Sequence, residues 1–420
     1  MKLKKLTAVI ACALALAYSL TSLTACTAEV QAADLTEGIT PEKVTGREAD
    51  EGFALAQTDF ALDLFRQTAS VSGYDNLLMS PLSVSIALSM TANGAASDTL
   101  TEMENVLGMS VEELNGYYYA YANSLPDEEN CSFHIANSLW VKEDFDPKQE
   151  FLQTNANYYS APVYTSPFNE QTVKDINNWI KTNTDGMIEN MLDDISVDAV
   201  MYIINALAFD AKWSVVYEKD QVRDGTFTAA DGAEKTVKFL HDTSHYPYFE
   251  DDNAVGFMKG YEGGQYAFAA ILPNEDISLE DYVNGLTAEG LYGMISGAEY
   301  HKTVTALPKF SYDCDVNLNE PLKLLGMSSA FNDEKSDFSE MGAYHGSNVY
   351  IGRVLHKTFI AVDELGTKAG AATIVEMDSE SAAPVEPEEI KYVILDRPFL
   401  FMIIDRENNI PIFMGTVTMP

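Results

Sequence analysis

The chain has 420 residues, 46% hydrophobic and 11% aromatic, enough apolar material for one large core or for two to three ordinary domains. Against 26 Lys and Arg stand 64 Asp and Glu, a formal charge of -38 that favours solubility and argues against nucleic acid or an anionic membrane surface as a partner.

Residues 1–25 read as a targeting segment: Lys2, Lys4 and Lys5, an apolar run from Leu6 to Leu20, then Leu23, Thr24 and Ala25 before Cys26. The tetrad ending on Cys26 resembles a bacterial lipobox. That implies cleavage before Cys26, lipidation of its thiol, and a protein secreted and lipid-anchored at the bacterial cell surface; the plainer alternative is a secretory signal with an incidental cysteine. No later stretch approaches the ~20 apolar residues of a membrane span. Residues 26–52 lack apolar periodicity and are expected to be the anchor site and a flexible tether, with one folded domain over 53–420. Of the remaining cysteines, Cys131 and Cys314 are expected as two buried thiols, neither at metal-ligand spacing.

Phe53, Leu55, Phe60, Ala61, Leu64 and Phe65 approximate a helical stripe. Ser80 and Pro81 predict a helix start, a capping hydroxyl followed by a ring suited to the first turn, and Asn93 and Gly94 end that helix. Ser97 or Asp98 is expected to cap the next, which Gly108 stops. A helix is predicted over Val111 to Leu125, a strand from Phe133, a helix start at Asp146 and Pro147, and a helix over 176–192 on Ile176, Trp179, Ile180 and Ile188. VMYIINALAFDAKW, residues 200–213, has the apolar, β-rich content of a central strand buried on both faces, which makes Asn205 a core residue in need of partners. Asp231 and Gly232 mark a turn, and FAAILPNED reads as a strand ending in one.

Residues 362–398 break this regularity. VDELGTKAGAATIVEM leads into a polar, proline-marked connector, DSESAAPVEPEE, before the buried strand pattern of ILDRPFLFMI. Counting by twos, Thr367, Ala369, Ala371, Thr373, Val375, Met377 and Ser379 are all uncharged, while Lys368, Glu376, Asp378 and Glu380 fall on the other set. This is the period of a strand with one buried face, in a segment whose Gly, Ala and Ser content makes a poor strand by propensity. It reads as a segment exposed in one state and a strand in another; a flexible surface linker is the alternative.

The sequence has no GxSxG elbow, HExxH, P-loop or strand-borne GxGxxG. His241 and His245 sit four apart beside Tyr246, Pro247 and Tyr248, a loop or strand in which that spacing carries no ligand meaning. Asp313, Asp315 and Asn317 imitate the start of a calcium loop but lack its turn glycine and terminal glutamate. No catalytic residue, metal site or cofactor is assigned.

Taken in order, SPLS at Ser80 with its following GA and terminal LG, IAN-LW from Ile135, IN-W-T-G-I from Ile176, NA-F-W from Asn205, LPKF from Leu307, LGM-AF-DFS from Leu325, VDELGTKAGAA and DRPF resemble the serpin family of protease inhibitors over residues 53–420. The resemblance implies an α+β fold of three β-sheets with eight to nine helices and an exposed reactive-centre loop at about 364–392. It implies a suicide inhibitor of extracellular serine proteases, acting as a monomer. The loop is cleaved, the acyl-enzyme is trapped, and the loop's first part inserts as a sheet strand, a transition from a kinetically held form to one of lower free energy. It further implies a shutter of Ser80, Asn205 and His356, a breach of Trp213, Lys309 and Glu364, and a hinge of Glu364, Gly366, Thr367, Ala369, Ala371 and Ala372 free of proline and inward charge. Family spacing from Glu364 puts the scissile bond at Glu380 and Ser381. Subsite chemistry points instead to Val385 and Glu386, since Ala382, Ala383, Pro384 and Val385 suit an elastase-like enzyme, and a connector about seven residues longer than usual admits both. The alternatives are a serpin-fold binding protein or protease substrate without inhibition, and a lipoprotein of unrelated function.

Overall fold

An element lies ahead of the expected domain start. In this computed structural model, which describes residues 30–125, 127–128, 131–188, 190–196, 199–345, 348–367 and 389–420, strand β1 (Ala33–Asp34) pairs antiparallel with Tyr164 and Thr165. The Ala32 N–H donates to the Asp175 carboxylate at 3.0 Å, the Glu42 N–H to Asn157 at 2.7 Å, and the Arg47 guanidinium lies 4.6 Å from the Tyr117 ring. Leu35 and Ile39 pack on the core. The flexible tether expected over 26–52 is therefore corrected for residues 30–50, which are docked along the body. An open sheet edge recruits a segment through its backbone, and backbone pairing leaves no periodic signal in the side chains.

Helix α1 (Glu51–Ser72) starts where Asp50 accepts the Phe53 N–H at 2.9 Å, and buries Phe53, Phe60, Leu64 and Phe65. After β2 (Leu78–Met79), helix α2 (Pro81–Ala92) is capped by Ser80 as expected and is buried along its whole length. Helix α3 (Ser97–Leu107) ends on left-handed Gly108, but neither Ser97 nor Asp98 caps it: Ala96 occupies the cap, and the Ser97 hydroxyl donates to Asp337 at 2.7 Å. Helix α4 (Val111–Ser124) follows Ser110.

Beyond β3 (Asp127–Glu128), β4 (Cys131–Lys142) and β5 (Phe145–Pro147) comes helix α5 (Gln149–Tyr158). Asp146 and Pro147 thus close a strand instead of opening a helix, because β5 is paired with a strand much later in the chain, Gly342–Tyr344. Next are β6 (Val163–Ser166) and α6 (Glu170–Asn183), the latter entered through an Asn169 capping box. It stops short of the expected 192, since Asp185 and Gly186 turn at φ 48° and 73° and the Asn177 amide takes over the backbone of Met191 and Leu192. Strand β7 (Met201–Lys212) is the expected central strand, with Met201 to Asn205 buried.

The remaining strands are β8 (Val222–Thr228), β9 (Glu234–Glu250), β10 (Ala254–Gly260), β11 (Tyr266–Pro273), β12 (Glu299–Pro308), β13 (Phe310–Asn317), β14 (Gly342–Tyr344), β15 (Ile351–Val362), β16 (Gly366–Thr367), β17 (Lys391–Ile394), β18 (Phe399–Asp405) and β19 (Ile410–Val417). Helices α7 (Leu279–Gly285) and α8 (Ala288–Ser296) precede β12, and α9 (Asn319–Leu325) follows β13. His241 and His245 both lie on β9. The fold is α+β with three sheets, nine α-helices being present among the described residues. One sheet runs β1-β6-β4-β7-β16-β15-β13 with β3 beside β4, a second runs β17-β12-β9-β10-β11-β18-β19-β2 with β8 beside β9, and β14 pairs with β5. Strands β11, β18 and β19 are buried throughout, the continuous apolar pattern of strands covered on both faces. Cys131 is buried and Cys314 only half-buried, both as thiols.

The feature that positions the site is in the first sheet. Strands β7 and β15 pair directly and in parallel from Met201 and Ile351 up to Leu207 and Thr358. Above that point β16 stands between them, Gly366 opposite Lys212 and Thr367 opposite both Ala211 and Val362. The sheet is closed at one end and open at the other.

Candidate functional site

At the closed end, strand register brings three asparagine and histidine side chains into one row. Asn205 of β7 lies opposite His356 of β15 on one side and Asn137 of β4 on the other. Ser80, Asn205 and His356 are fully buried. The Ser80 N–H donates to His356 Nε2 at 2.9 Å, so the ring proton sits on Nδ1, which donates to Asn205 Oδ1 at 2.5 Å. The Asn205 amide donates to Asn137 Oδ1 at 2.5 Å, to the Ser83 carbonyl at 2.8 Å and to the Ser83 hydroxyl. Thr358, the last β15 residue joined directly to β7, donates to the Leu78 carbonyl at 3.0 Å. Burial pushes the His356 pKa down to about 3, so the ring is neutral and can accept from Ser80. This cluster ties β4, β7 and β15 to helix α2 two residues below the point where the strands part.

At the open end the chain turns tightly over 363–366. The Asp363 carboxylate accepts the Leu365 N–H at 2.8 Å and the Gly366 N–H at 3.4 Å, while the Asp363 N–H donates to the Gly366 carbonyl at 3.0 Å. Residues 213–217 clasp this turn. The Trp213 N–H donates to the Leu365 carbonyl and its indole N–H to the Asp363 carbonyl, both at 2.8 Å, and the Tyr217 N–H donates to the Glu364 carbonyl at 3.0 Å. Lys309 forms an ion pair with Glu364. Burial pushes the Glu364 carboxyl up, but the Lys309 hydrogen bond and charge outweigh it and hold the group below its ordinary value.

Gly366 can sit between the strands because it has no Cβ, which would lie 2.1 Å from the Ala211 carbonyl oxygen. Thr367 is buried, its hydroxyl 2.5 Å from that of Tyr261, whose ring stacks on Trp213 at 4.6 Å between centroids.

The structure therefore brings Ser80, Asn205 and His356 together in one cluster, and Trp213, Lys309, Glu364, Gly366 and Thr367 in another. Of the remaining hinge residues, Ala369, Ala371 and Ala372 lie outside the described residues, as do both reactive-bond candidates, Glu380 with Ser381 and Val385 with Glu386, and the lipidation residue Cys26. Sequence reasoning missed Ser83, Asn137, Tyr217, Tyr261 and Asp363. Asn137 stands in an apolar strand run, as Asn205 does, and Asp363 stands two before Leu365 with the spacing of an Asx turn; both signals were legible. Tyr217 and Tyr261 carried none.

Comparison with known proteins agrees over most of the length. A family model described as Serpin (serine protease inhibitor) matches residues 55–420. A serpin-like protein of Thermococcus kodakarensis is 32% identical over 373 residues, covering 87% of this chain and 85% of its own. Leukocyte elastase inhibitor of Bos taurus is 29% identical over 384 residues, covering 88% of this chain and all of its own (100%). Among solved structures, the thermophilic serpin tengpin in its native state superposes with a TM-score of 0.87 at 45% identity, covering 93% of this chain and 100% of that one. The same protein in its latent state gives 0.76 at 42% identity, covering 90% and 99%.

Proposed function

The chain belongs to the serpin family, whose members are in general protease inhibitors and not catalysts, and we propose that it is a suicide inhibitor of extracellular serine proteases of elastase-like specificity. The observation that carries this reading is the seat of Gly366 and Thr367 between β7 and β15, with those strands still paired below. A slot open at the top and already entered by the first two residues is what a loop needs to continue inward.

In the proposed reaction the protease serine Oγ adds to the carbonyl of the reactive residue, the peptide bond breaks, and the new amino terminus leaves with a proton from the protease's general acid. The loop, bound to the protease as an ester, then enters the sheet from Thr367 onward with the enzyme attached. Insertion must outrun deacylation, and the alternation of small uncharged residues from Thr367 to Ser379 favours that. The elastase-like preference rests on Ala382 to Val385 and on the name of the bovine relative. Cleavage at Val385 instead of Glu380 leaves five more residues on the inserting side, about 16 Å of slack at ~3.3 Å per residue, which lowers the pull on the trapped enzyme.

Incubation of the mature domain with neutrophil or pancreatic elastase, followed by denaturing gel and intact mass, tests this. The expected result is a stable adduct with a released peptide beginning at Glu386, or at Ser381 if spacing and not subsite chemistry sets the bond. Clean cleavage without adduct by elastase and by a Glu-specific protease alike would sink the inhibitor reading. Lipidation of Cys26 and anchorage at the bacterial surface are proposed from the sequence, together with a monomeric state; a Cys26→Ala change is expected to release the protein from the membrane fraction.

A further inference from the structure

Lys259, at the end of β10, is buried at 3% exposure, and its ammonium is held by aromatic groups. Its Nζ lies 4.3 Å from the centroid of the Tyr217 ring, 5.4 Å from that of Tyr246 and 5.7 Å from that of Trp213, and donates to the Tyr246 hydroxyl at 3.2 Å. Tyr246 in turn donates to Asp242. The Tyr217 hydroxyl is buried and makes no hydrogen bond among the described residues, so this ring is held at its face. A methionine would fill the same length without the cost of desolvating a charge, so the cation is not explained by packing.

Two walls of this box, Trp213 and Tyr217, bracket the segment that clasps the 363–366 turn. Strand β10 grips the same segment at its backbone, the Ser214 N–H donating to the Gly260 carbonyl at 3.1 Å and Trp213 bridging to Tyr261. We propose that Lys259 is a positioning residue for loop insertion: by cation–π attraction it pins Trp213 and Tyr217, and through their backbone N–H groups it holds Asp363 to Gly366 in the entered position. This rests on the insertion mechanism above and adds to it a residue that acts before any protease arrives. Because the turn it holds already has its inserted pairing, losing the cation slows insertion.

The groups facing the ammonium are Trp213 and Tyr217 from the clasp and Asp242 and Tyr246 from β9. Burial drives both phenols far above their ordinary range, while burial, opposed by Asp242, pulls Lys259 down to about 8. Lys259 is then the group of this box that changes charge between pH 7 and 10.

The test follows annealing of a synthetic peptide, residues 368–379, which leaves the Thr367 position to the chain's own hinge, into the sheet of the full-length protein by native gel, a readout that needs no protease. Lys259→Met and Tyr217→Leu are expected to slow annealing about fivefold, and Lys259→Arg and Tyr217→Phe to leave it near wild type. Wild-type annealing should slow as pH rises from 7 to 10 while Lys259→Arg stays flat. Unchanged or faster annealing in Lys259→Met, or Tyr217→Phe matching Tyr217→Leu, overturns the proposal. Should Lys259→Met not fold, the two Tyr217 variants and the Lys259→Arg pH profile decide alone. A wild type that anneals peptide but traps no protease would defeat the inhibitor reading and leave this one standing.

Discussion

Acidification should open the sheet through His356. In the closed cluster its pKa is about 3, because the ring is buried and Nε2 must stay unprotonated to accept from Ser80. Once β7 and β15 separate, the ring meets water and regains an ordinary value near 6.5. The folded value is the lower one, so the stability His356 contributes is fully present above pH ~6.5 and is lost as pH falls toward 3. At pH 5 the loss is about 2 kcal/mol, equivalent to roughly a 30-fold change in the closed-to-open ratio. The assay is the rate at which the native protein converts to a form resistant to heat and denaturant, followed from pH 7.5 to 5.0. The expected acceleration is up to about 30-fold if the transition state exposes the ring fully. His356→Gln keeps one donor and one acceptor and cannot titrate, so its profile should be flat whatever its baseline. Burial, with the Arg223 charge adding to it, also lowers His241, and the variant subtracts any contribution from that group. An equal acceleration in His356→Gln, or none in the wild type, would refute the reasoning.

Gly366→Ala places a methyl 2.1 Å from the Ala211 carbonyl oxygen, so the hinge must leave the slot; peptide annealing should slow and, with any protease trapped, the stoichiometry of inhibition should rise. Asn205→Ala strands His356 Nδ1–H and Asn137 in the core, and the thermal unfolding midpoint should drop by the equivalent of ~3 kcal/mol. Glu364→Gln should cost at most about 1 kcal/mol, with the difference from wild type fading in 1 M salt, because the Lys309 and Glu364 side chains are 31% and 37% exposed. Removing residues 30–40 uncovers the β6 edge and the contacts of Leu35 and Ile39, and should lower the unfolding midpoint by the equivalent of ~1–2 kcal/mol. A midpoint unmoved by that truncation would restore the tether.

How much was legible in the sequence depends on whether a signal is local. Ser80 before Pro81 specifies a helix start through one hydroxyl and one ring, and the structure has it; the apolar run around Asn205 specifies a doubly covered strand, and β7 is that strand. The two-residue alternation from Thr367 predicts strand character, and its first residue is already paired on both sides. Where a local rule met a tertiary demand the rule lost, as when Asp146 and Pro147 were drawn into β5 by pairing with β14, and when Ser97 turned its hydroxyl to Asp337.

The order of motifs carried the resemblance that implies the family's fold together with Ser80, Asn205, His356, Trp213, Lys309 and Glu364, and the alternation after Gly366 marked strand character, because each depends on what a residue is and on its near neighbours; Ser83, Asn137, Tyr217, Tyr261 and Asp363 of the two clusters were not named by it. Which residues meet was decided only in three dimensions. Register set Asn137 against Asn205 and Asn205 against His356, far apart in sequence, and the crossing of β10 with the end of β7 put Lys259 under Trp213 and Tyr217. Side-chain pairs of that kind leave no periodic trace, since strand pairing and sheet packing are made between segments whose separation along the chain the local pattern does not record.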